Sequence, residues 1–148
     1  MVPYVIFAIP REGGRSKTTG RGFQRKAGGG GKGKVGIGRR CESLAADWLA
    51  SEHGYAIVRR NAYFGRFGEV DIIARDEGTV CFVEVRARSS ALYGTPGESV
   101  GWEKARRIRT MAEAYLMGCD GGANVRFDVV EVYMRGGGAS LNLIKGAF

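Results

Sequence analysis

Residues 68–88 read GEVDIIARDEGTVCFVEVRAR and predict a β-hairpin. Two runs rich in valine and isoleucine flank Glu77-Gly78, and a two-residue loop of this kind joins antiparallel strands tightly. The loop pairs Asp76 with Thr79 and thereby fixes every pair beyond them. In this register one face carries only apolar pairs, which is typical of strands that face a core: Val70·Val85, Ile72·Val83 and Ala74·Cys81.

The opposite face of the predicted hairpin sets two acids against each other. Asp71 lies across from Glu84, with their Cβ atoms roughly 5 Å apart, and like charges so placed destabilise a sheet. A hard divalent cation such as Mg²⁺ favours such a pair and fills its remaining positions with water or phosphate oxygens. Arg86 projects from the same face and could contact the same phosphate. An ordinary polar cluster, in which Arg86 neutralises the acids and pairs with Glu69, explains the same residues without a metal.

Two amphipathic helices are predicted on either side of the hairpin in the sequence. The first runs from Arg39 to His53, with Gly54 as its C-cap. The second covers roughly residues 98–117. Each carries an apolar stripe at helical spacing that should face the core: Cys41, Leu44, Ala45, Trp48 and Leu49 in the first, and Ala105, Ile108, Met111, Ala112, Tyr115 and Leu116 in the second.

Each stripe has one polar residue of interest at its edge. Glu42 lies in the first turn of the first helix, where the helix dipole also favours an acid. Lys104 lies one turn before Ile108, a position that lysines commonly occupy by extending along apolar surface. From helical phase alone, Lys104 can approach the carboxylates of the hairpin.

Further strands are predicted over about residues 55–59, 125–134 and 141–145, with an aromatic and basic loop at 61–68 and a glycine loop at 136–138. The order is therefore α-β-β-β-α-β-β. Such a mixed order predicts a sheet with helices packed on it.

The charge of the chain is concentrated at its start. The net charge is +8, and residues 1–40 hold ten of the 23 Lys and Arg residues against the single acid Glu12. Eleven of the 25 glycines fall in the same forty residues. We therefore predict a disordered basic tail over residues 1–34 and one folded domain over residues 35–148. The tail is either a solvated segment, including one that arises from a start codon placed too far upstream, or an arm that binds phosphates.

Composition excludes several classes of protein. No window approaches the roughly 20 apolar residues of a membrane span, which predicts no membrane association and a cytoplasmic location. Three distant cysteines and the single His53 argue against a disulfide framework, a zinc site and a Ser-His-Asp relay. The chemistry available to this chain uses carboxylates and basic side chains.

Taken together, these motifs resemble the YraN family, small bacterial proteins that are grouped as predicted endonucleases. The resemblance covers about residues 36–134 and depends on the order and spacing of Glu42, Arg60-Asn61, Gly68-Glu69-Val70-Asp71, Phe82-Val83-Glu84-Val85-Arg86-Ala87-Arg88, Gly94, Lys104 and Arg126-Phe127-Asp128. This family is similar in turn to archaeal Holliday-junction resolvases and to the restriction-endonuclease-like PD-(D/E)XK superfamily.

The resemblance implies an α/β, restriction-endonuclease-like three-layer fold, in which helices flank a central mixed β-sheet. It also implies a metal site for Mg²⁺ or Mn²⁺ formed by Asp71, Glu84 and the carbonyl of Val85. Glu42 corresponds to the helix acid of the superfamily, and Arg86 occupies the position of its catalytic lysine. Because a guanidinium stays charged, Arg86 can bind phosphate but cannot act as a base. Lys104 is a candidate substitute.

The resemblance favours a metal-dependent endonuclease that acts on DNA, including branched or structured DNA, with DNA preferred to RNA as the partner. The alternative is a nucleic-acid-binding module without catalysis, which would bind bases and phosphates through the 61–68 loop and the tail. A scaffold protein that has kept only the fold is a third hypothesis. Resolvases of the superfamily often act as dimers because two strands are cut, and the resemblance leaves a homodimer open.

Overall fold

The computed structural model describes residues 32–88, 100–119, 122–135 and 138–148. Within these ranges the chain forms two helices and five strands, with a short 3-10 helix (Gly65–Phe67) after the first strand. The elements are α1 (Lys32–His53), β1 (Ala56–Tyr63), β2 (Glu69–Asp76), β3 (Thr79–Arg88), α2 (Trp102–Met117), β4 (Val125–Arg135) and β5 (Gly138–Ile144).

The strands form one mixed sheet in the order β1-β2-β3-β4-β5. Neighbouring strands are antiparallel except β3 and β4, which are parallel because the chain crosses over through α2 between them. The fold is the predicted α/β fold, with a central mixed sheet between two helices, and it is consistent with a restriction-endonuclease-like three-layer arrangement.

Each helix packs on its own face of the sheet. The α1-side cluster contains Cys41, Ala45 and Leu49 of the predicted first stripe, together with inward-facing residues of three strands: Ile72, Ala74, Cys81, Val83, Val130 and Val132. The α2-side cluster contains Ile108, Met111 and Ala112 of the second stripe with Ala62, Val70, Ile73, Val80 and Phe82. Because successive side chains of a strand alternate between faces, Phe82 and Val83 fall into different clusters.

The predicted hairpin is confirmed in its turn and in most of its register. Glu77 and Gly78 both have positive φ angles, 47° and 86°, which define the tight turn that matches the twist of paired strands. The pairs run from Asp76·Thr79 through Ala74·Cys81 to Ile72·Val83, as the two-residue loop requires.

One apolar residue of the hairpin departs from the prediction. Val70 packs in the α2-side cluster, whereas Ile72 and Ala74 pack in the α1-side cluster. A regular strand would place all three on one face. The strand therefore twists between Val70 and Ile72, at the position of Asp71.

Element boundaries also differ from those predicted, including the start of β5, which is Gly138 rather than residue 141. α1 begins at Lys32 rather than Arg39, since extending a helix from a packed segment is easier than nucleating it, even through glycines. β1 continues to Tyr63 and takes in the start of the predicted loop, because it pairs with β2 as far as Tyr63·Glu69. α2 begins at Trp102, and the predicted start at residue 98 lies outside the described residues.

The basic tail predicted over residues 1–34 lies outside the described residues except for Lys32–Lys34, which are helical. In the part of the chain that the structure describes, no helix is long and apolar enough to cross a membrane.

Candidate active site

Asp71 lies where β2 and β3 separate. The pairs between these strands end at Ile72·Val83. Beyond them, the N–H of Val85 donates to Asp71 Oδ2 at 2.8 Å, so the carboxylate takes the place of a ladder carbonyl. The N–H and C=O groups of one strand residue point to the same side, so the Val85 carbonyl is directed to the β2 side of β3 as well. The predicted Asp71·Glu84 position is therefore at the open end of the hairpin.

Glu84 is buried on the face of the sheet that α2 covers. Lys104 reaches it from α2, and its Nζ donates to Glu84 Oε1 in a charge-assisted hydrogen bond. About half of the Lys104 side chain is exposed, whereas Glu84 is almost completely shielded. Lys104 therefore holds a cationic group between a buried acid and solvent.

The surroundings of Asp71 disfavour its ionised form. Burial first, and then the negative charge of Glu84, raise the pKa of Asp71 to about 7. The hydrogen bond from Val85 and the charge of Lys104 act in the opposite direction without cancelling the rise, while Glu42 adds to it. Asp71, Glu84, Lys104 and Glu42 thus belong to one electrostatic unit.

Glu42 enters this unit from α1, held by a residue of β1. Asn61 Nδ2 donates to Glu42 Oε2 at 2.7 Å. The backbone of Asn61 is left-handed, with φ at 49°, a conformation that asparagine tolerates better than most residues. Both side chains line a cavity of about 480 Å³ between α1 and the open end of the hairpin, together with Gly38, Arg39, Ser43 and Glu69.

Arg86 is partly buried on β3, two residues beyond Glu84. Alternation along the strand directs it to the same face as Glu84. Its neighbour across the parallel pair with β4 is Glu131. Glu131 is a buried acid that accepts hydrogen bonds from Arg88, Tyr133 and Asn142. Glu131, a second buried acid with three hydrogen-bond donors, therefore lies beside Arg86, which occupies the expected lysine position.

Sequence alone gives no role to two residues of this region. Asn61 belongs to the Arg60-Asn61 motif and to a predicted loop, but nothing in the sequence links it to Glu42. Glu131 carried a clearer signal, because an acid in the run Val129-Val130-Glu131-Val132 alternates with buried valines and must point to one covered face.

Arg126 and Asp128 of the Arg126-Phe127-Asp128 motif belong to a separate polar network on the α1 face, while Phe127 packs in the α2-side cluster. Asp128 is completely buried and accepts from the Tyr55 hydroxyl at 3.0 Å, from Arg126 Nε at 2.8 Å and from the Gly146 N–H at 2.9 Å. Arg126 also pairs with Asp76 at 2.6 Å. Because all these groups satisfy one another, this network fastens β4 and the C-terminal residues to the hairpin.

The described residues contain no group of three or more His, Cys, Asp and Glu side chains that could hold a metal ion. The set predicted here has a different composition, since it joins two carboxylates, from Asp71 and Glu84, with the backbone carbonyl of Val85. All three donors are hard oxygens, the kind that Mg²⁺ and Mn²⁺ prefer.

Comparison with known proteins places these residues in one family region, except Gly38 and Arg39 before it and the residues after 132. Residues 41–132 match the model of an uncharacterised protein family, UPF0102. A UPF0102 protein of Acetivibrio thermocellus is 45% identical over 115 residues, which cover 72% of this chain and 86% of that protein. A UPF0102 protein of Caldicellulosiruptor bescii is 44% identical over 117 residues, 76% of this chain and 96% of that protein. One of Syntrophus aciditrophicus is 46% identical over 112 residues, 75% of this chain and 87% of that protein.

Proposed function

The chain belongs to the UPF0102 (YraN) family, and from the geometry of its carboxylates we propose that it is a metal-dependent endonuclease that cleaves phosphodiester bonds of DNA. The observation that carries the proposal is the ion pair between Lys104 and the buried Glu84. Through this ion pair Lys104 places an ammonium group at the carboxylates, although Arg86 occupies the position where a lysine is usual.

The donor set suits a divalent cation. The charge of Glu84 raises the pKa of Asp71, so ionising both acids is unfavourable unless positive charge is added. Lys104 supplies one such charge, which contacts Glu84 and also acts against the rise in the pKa of Asp71. Asp71, Glu84 and the Val85 carbonyl would hold Mg²⁺ or Mn²⁺, which supplies a polarised water nucleophile and neutralises charge on the phosphate.

The remaining side chains have distinct tasks in this proposal. The planar guanidinium of Arg86 binds the non-bridging oxygens of the scissile phosphate. Lys104 orients Glu84 and stabilises the negative charge that develops on the phosphate during attack. Asn61 holds Glu42 in one rotamer, so that its carboxylate accepts a proton from a water molecule in the cavity.

The test is cleavage of DNA by the purified full chain with Mg²⁺ or Mn²⁺. Linear duplex, single-stranded and four-way-junction substrates cover the range that the proposal allows. Asp71→Asn and Glu84→Gln, which keep side-chain shape and remove charge, should each lower cleavage by at least a hundredfold. Asp47→Asn changes an exposed acid of α1 and is the matched control. Cleavage that survives in both site variants would show that the activity has another origin.

One observation favours the second candidate, a nucleic-acid-binding module without catalysis. Glu84 already has a cationic partner in Lys104, and Asp71 already has a donor in the Val85 N–H, so the pair is stable without a metal. This candidate predicts salt-sensitive DNA binding that Asp71→Asn leaves intact and no cleavage with either cation. Isothermal titration of Mn²⁺ into the wild type and Asp71→Asn separates the two, since only the nuclease requires binding that disappears in the variant.

A further inference from the structure

The outer face of α2, on the side away from the sheet, carries two large exposed hydrophobic side chains. Trp102 opens the helix and is 69% exposed, and Met117 closes it and is 89% exposed. Single exposed hydrophobic residues are common on protein surfaces and need no partner. The question is therefore whether these two share one stripe of the helix with groups that complement each other.

Trp102 and Met117 do share a stripe, with Arg106 and Glu113 between them. At about 100° per residue, the four residues fall within about 60° of one another around the helix axis. All four are exposed. The Arg106 guanidinium lies over the Trp102 ring, 5.1 Å from its centre. A guanidinium stacked by its face keeps its N–H groups for a carboxylate, so Arg106 is oriented to accept a partner on this stripe.

The stripe is complementary to itself. Trp102 and Met117 lie about 11 Å from its midpoint, in opposite directions along the axis, and Arg106 and Glu113 lie about 5 Å from it. A second copy related by a twofold axis at the midpoint has its helix antiparallel. It therefore sets Trp102 against the partner's Met117, and Arg106 against the partner's Glu113. A parallel pair would instead bring the two copies of Arg106 together.

From this complementarity we propose that two copies of the chain associate as a twofold dimer through the outer faces of their α2 helices. Symmetry makes each contact twice, which gives two aromatic–thioether contacts and two ion pairs. The helix is about 24 Å long, so the contact is smaller than an obligate interface, and we expect a dissociation constant in the micromolar range.

The other arginines of α2 are compatible with this pairing. Arg109 lies next to the midpoint, where two copies would repel each other, but its guanidinium is 5.8 Å from the centre of the Phe127 ring. Phe127 packs against the α2-side cluster, so Arg109 extends toward its own sheet. Arg107 is about 100° from Arg106 around the axis and lies beside the stripe.

The proposal does not depend on the nuclease proposed above. Lys104 is about 200° from Trp102 around the axis and turns to Glu84 on the sheet side. Association through the outer face therefore leaves the Lys104–Glu84 pair uncovered.

Sedimentation velocity of the full chain, purified free of nucleic acid and run over a series of micromolar concentrations, measures the association. We expect a reversible equilibrium between monomer and dimer. Trp102→Ala and Met117→Ala should each raise the dissociation constant about tenfold or more, since each removes a hydrophobic contact from both ends of the interface. Arg107→Ala changes an exposed arginine beside the stripe and is the matched control, with an unchanged dissociation constant.

Charge reversal tests the pairing itself. Arg106→Glu sets acid against acid in both ion pairs, and Glu113→Arg sets base against base, so each variant alone should remain monomeric. An equimolar mixture of the two variants restores opposite charges in both pairs and should form a heterodimer with a dissociation constant within about tenfold of that of the wild type. A surface that binds a different partner does not predict this recovery.

A chain that stays monomeric at every concentration would overturn the proposal and leave the outer face of α2 to another partner. A dimer that neither Trp102→Ala nor Arg106→Glu weakens would show that the copies meet through another surface. Charge variants that circular dichroism shows to be folded, but that do not associate when mixed, would also overturn the twofold pairing.

Discussion

Asn61 holds Glu42 from a left-handed backbone position, with its Nδ2 2.7 Å from Glu42 Oε2 and its φ at 49°. The interaction joins the edge strand β1 to α1 across the cavity that both residues line. A residue in this backbone conformation is typical of sites where local strain is offset by a specific interaction. Here the interaction fixes an acid that adds to the negative potential at Asp71.

Asn61 variants separate the orientation of Glu42 from backbone strain. Asn61→Gly keeps the left-handed backbone and removes the donor, so we expect an unchanged free energy of unfolding but slower cleavage. Asn61→Ala adds the steric penalty of a left-handed alanine and should unfold about 1 kcal/mol more easily. Urea denaturation and cleavage rates check both variants. If only Asn61→Ala cleaves slowly, stability rather than the hold on Glu42 explains the defect.

Lys104 should stabilise the fold as well as serve the site. Lys104→Met removes the partner of a buried carboxylate, and we expect a loss of about 1–3 kcal/mol in the free energy of unfolding. Adding Glu84→Gln to this variant should recover most of the loss, because the uncompensated buried charge disappears. A double-mutant cycle by urea denaturation measures the coupling. Strictly additive losses would mean that the two side chains do not interact in solution.

Asp71 should make the metal-free protein less stable as the pH rises. Its pKa is about 7 in the folded state against an ordinary value of 3.8, so the folded state retains a proton that the unfolded state loses between these pH values. Stability that depends on this proton is present below the ordinary pKa and declines through pH 7. Asp71→Asn cannot ionise, so in a chelator it should melt a few degrees above the wild type at pH 8, with a smaller difference at pH 5.

Adding Mn²⁺ should act in the opposite direction. A cation bound only by the folded protein raises the melting temperature of the wild type at pH 8 and leaves that of Asp71→Asn unchanged. Thermal denaturation with and without chelator measures both effects. Equal rises in the melting temperature of the two proteins would mean that Mn²⁺ binds at a site that does not include Asp71.

Asp128 should matter for stability and not for chemistry. It is completely buried and accepts from Tyr55, Arg126 and Gly146, so Asp128→Asn weakens several interactions of a shielded charge at once. We expect a loss of about 2–4 kcal/mol in the free energy of unfolding. Asp47→Asn breaks the exposed pair with Arg60 and should change stability by less than about 1 kcal/mol.

Cleavage per folded molecule should be unaffected in both variants, since this network lies on the α1 face, away from Lys104. Circular dichroism gives the folded fraction for that comparison. If folded Asp128→Asn cleaved more slowly than the wild type, the site would have to include residues on the α1 face of the sheet.

The sequence by itself determined the elements and their faces. The Glu77-Gly78 turn set the hairpin register, and periodicity identified Cys41, Ala45, Leu49, Ile108 and Met111 as core residues. These features depend on neighbours within a few residues, where turn geometry and side-chain alternation act directly. For the same reason the sequence predicts that Asp71 and Glu84 lie near each other; the charge of Glu84 does raise the pKa of Asp71, although the ladder ends one pair before them.

Only the tertiary structure decided how the site is completed. The β2·β3 ladder ends at Ile72, Val70 packs on the α2 side and Asp71 accepts the Val85 N–H, none of which follows from the hairpin pattern alone. The contact from Lys104 to Glu84 depends on α2 crossing the sheet. The left-handed backbone of Asn61 is accompanied by a hydrogen bond to Glu42, a residue of a different element. Interactions between distant segments carry little signature in local sequence, because each residue is compatible with several roles until the chain brings its partner close.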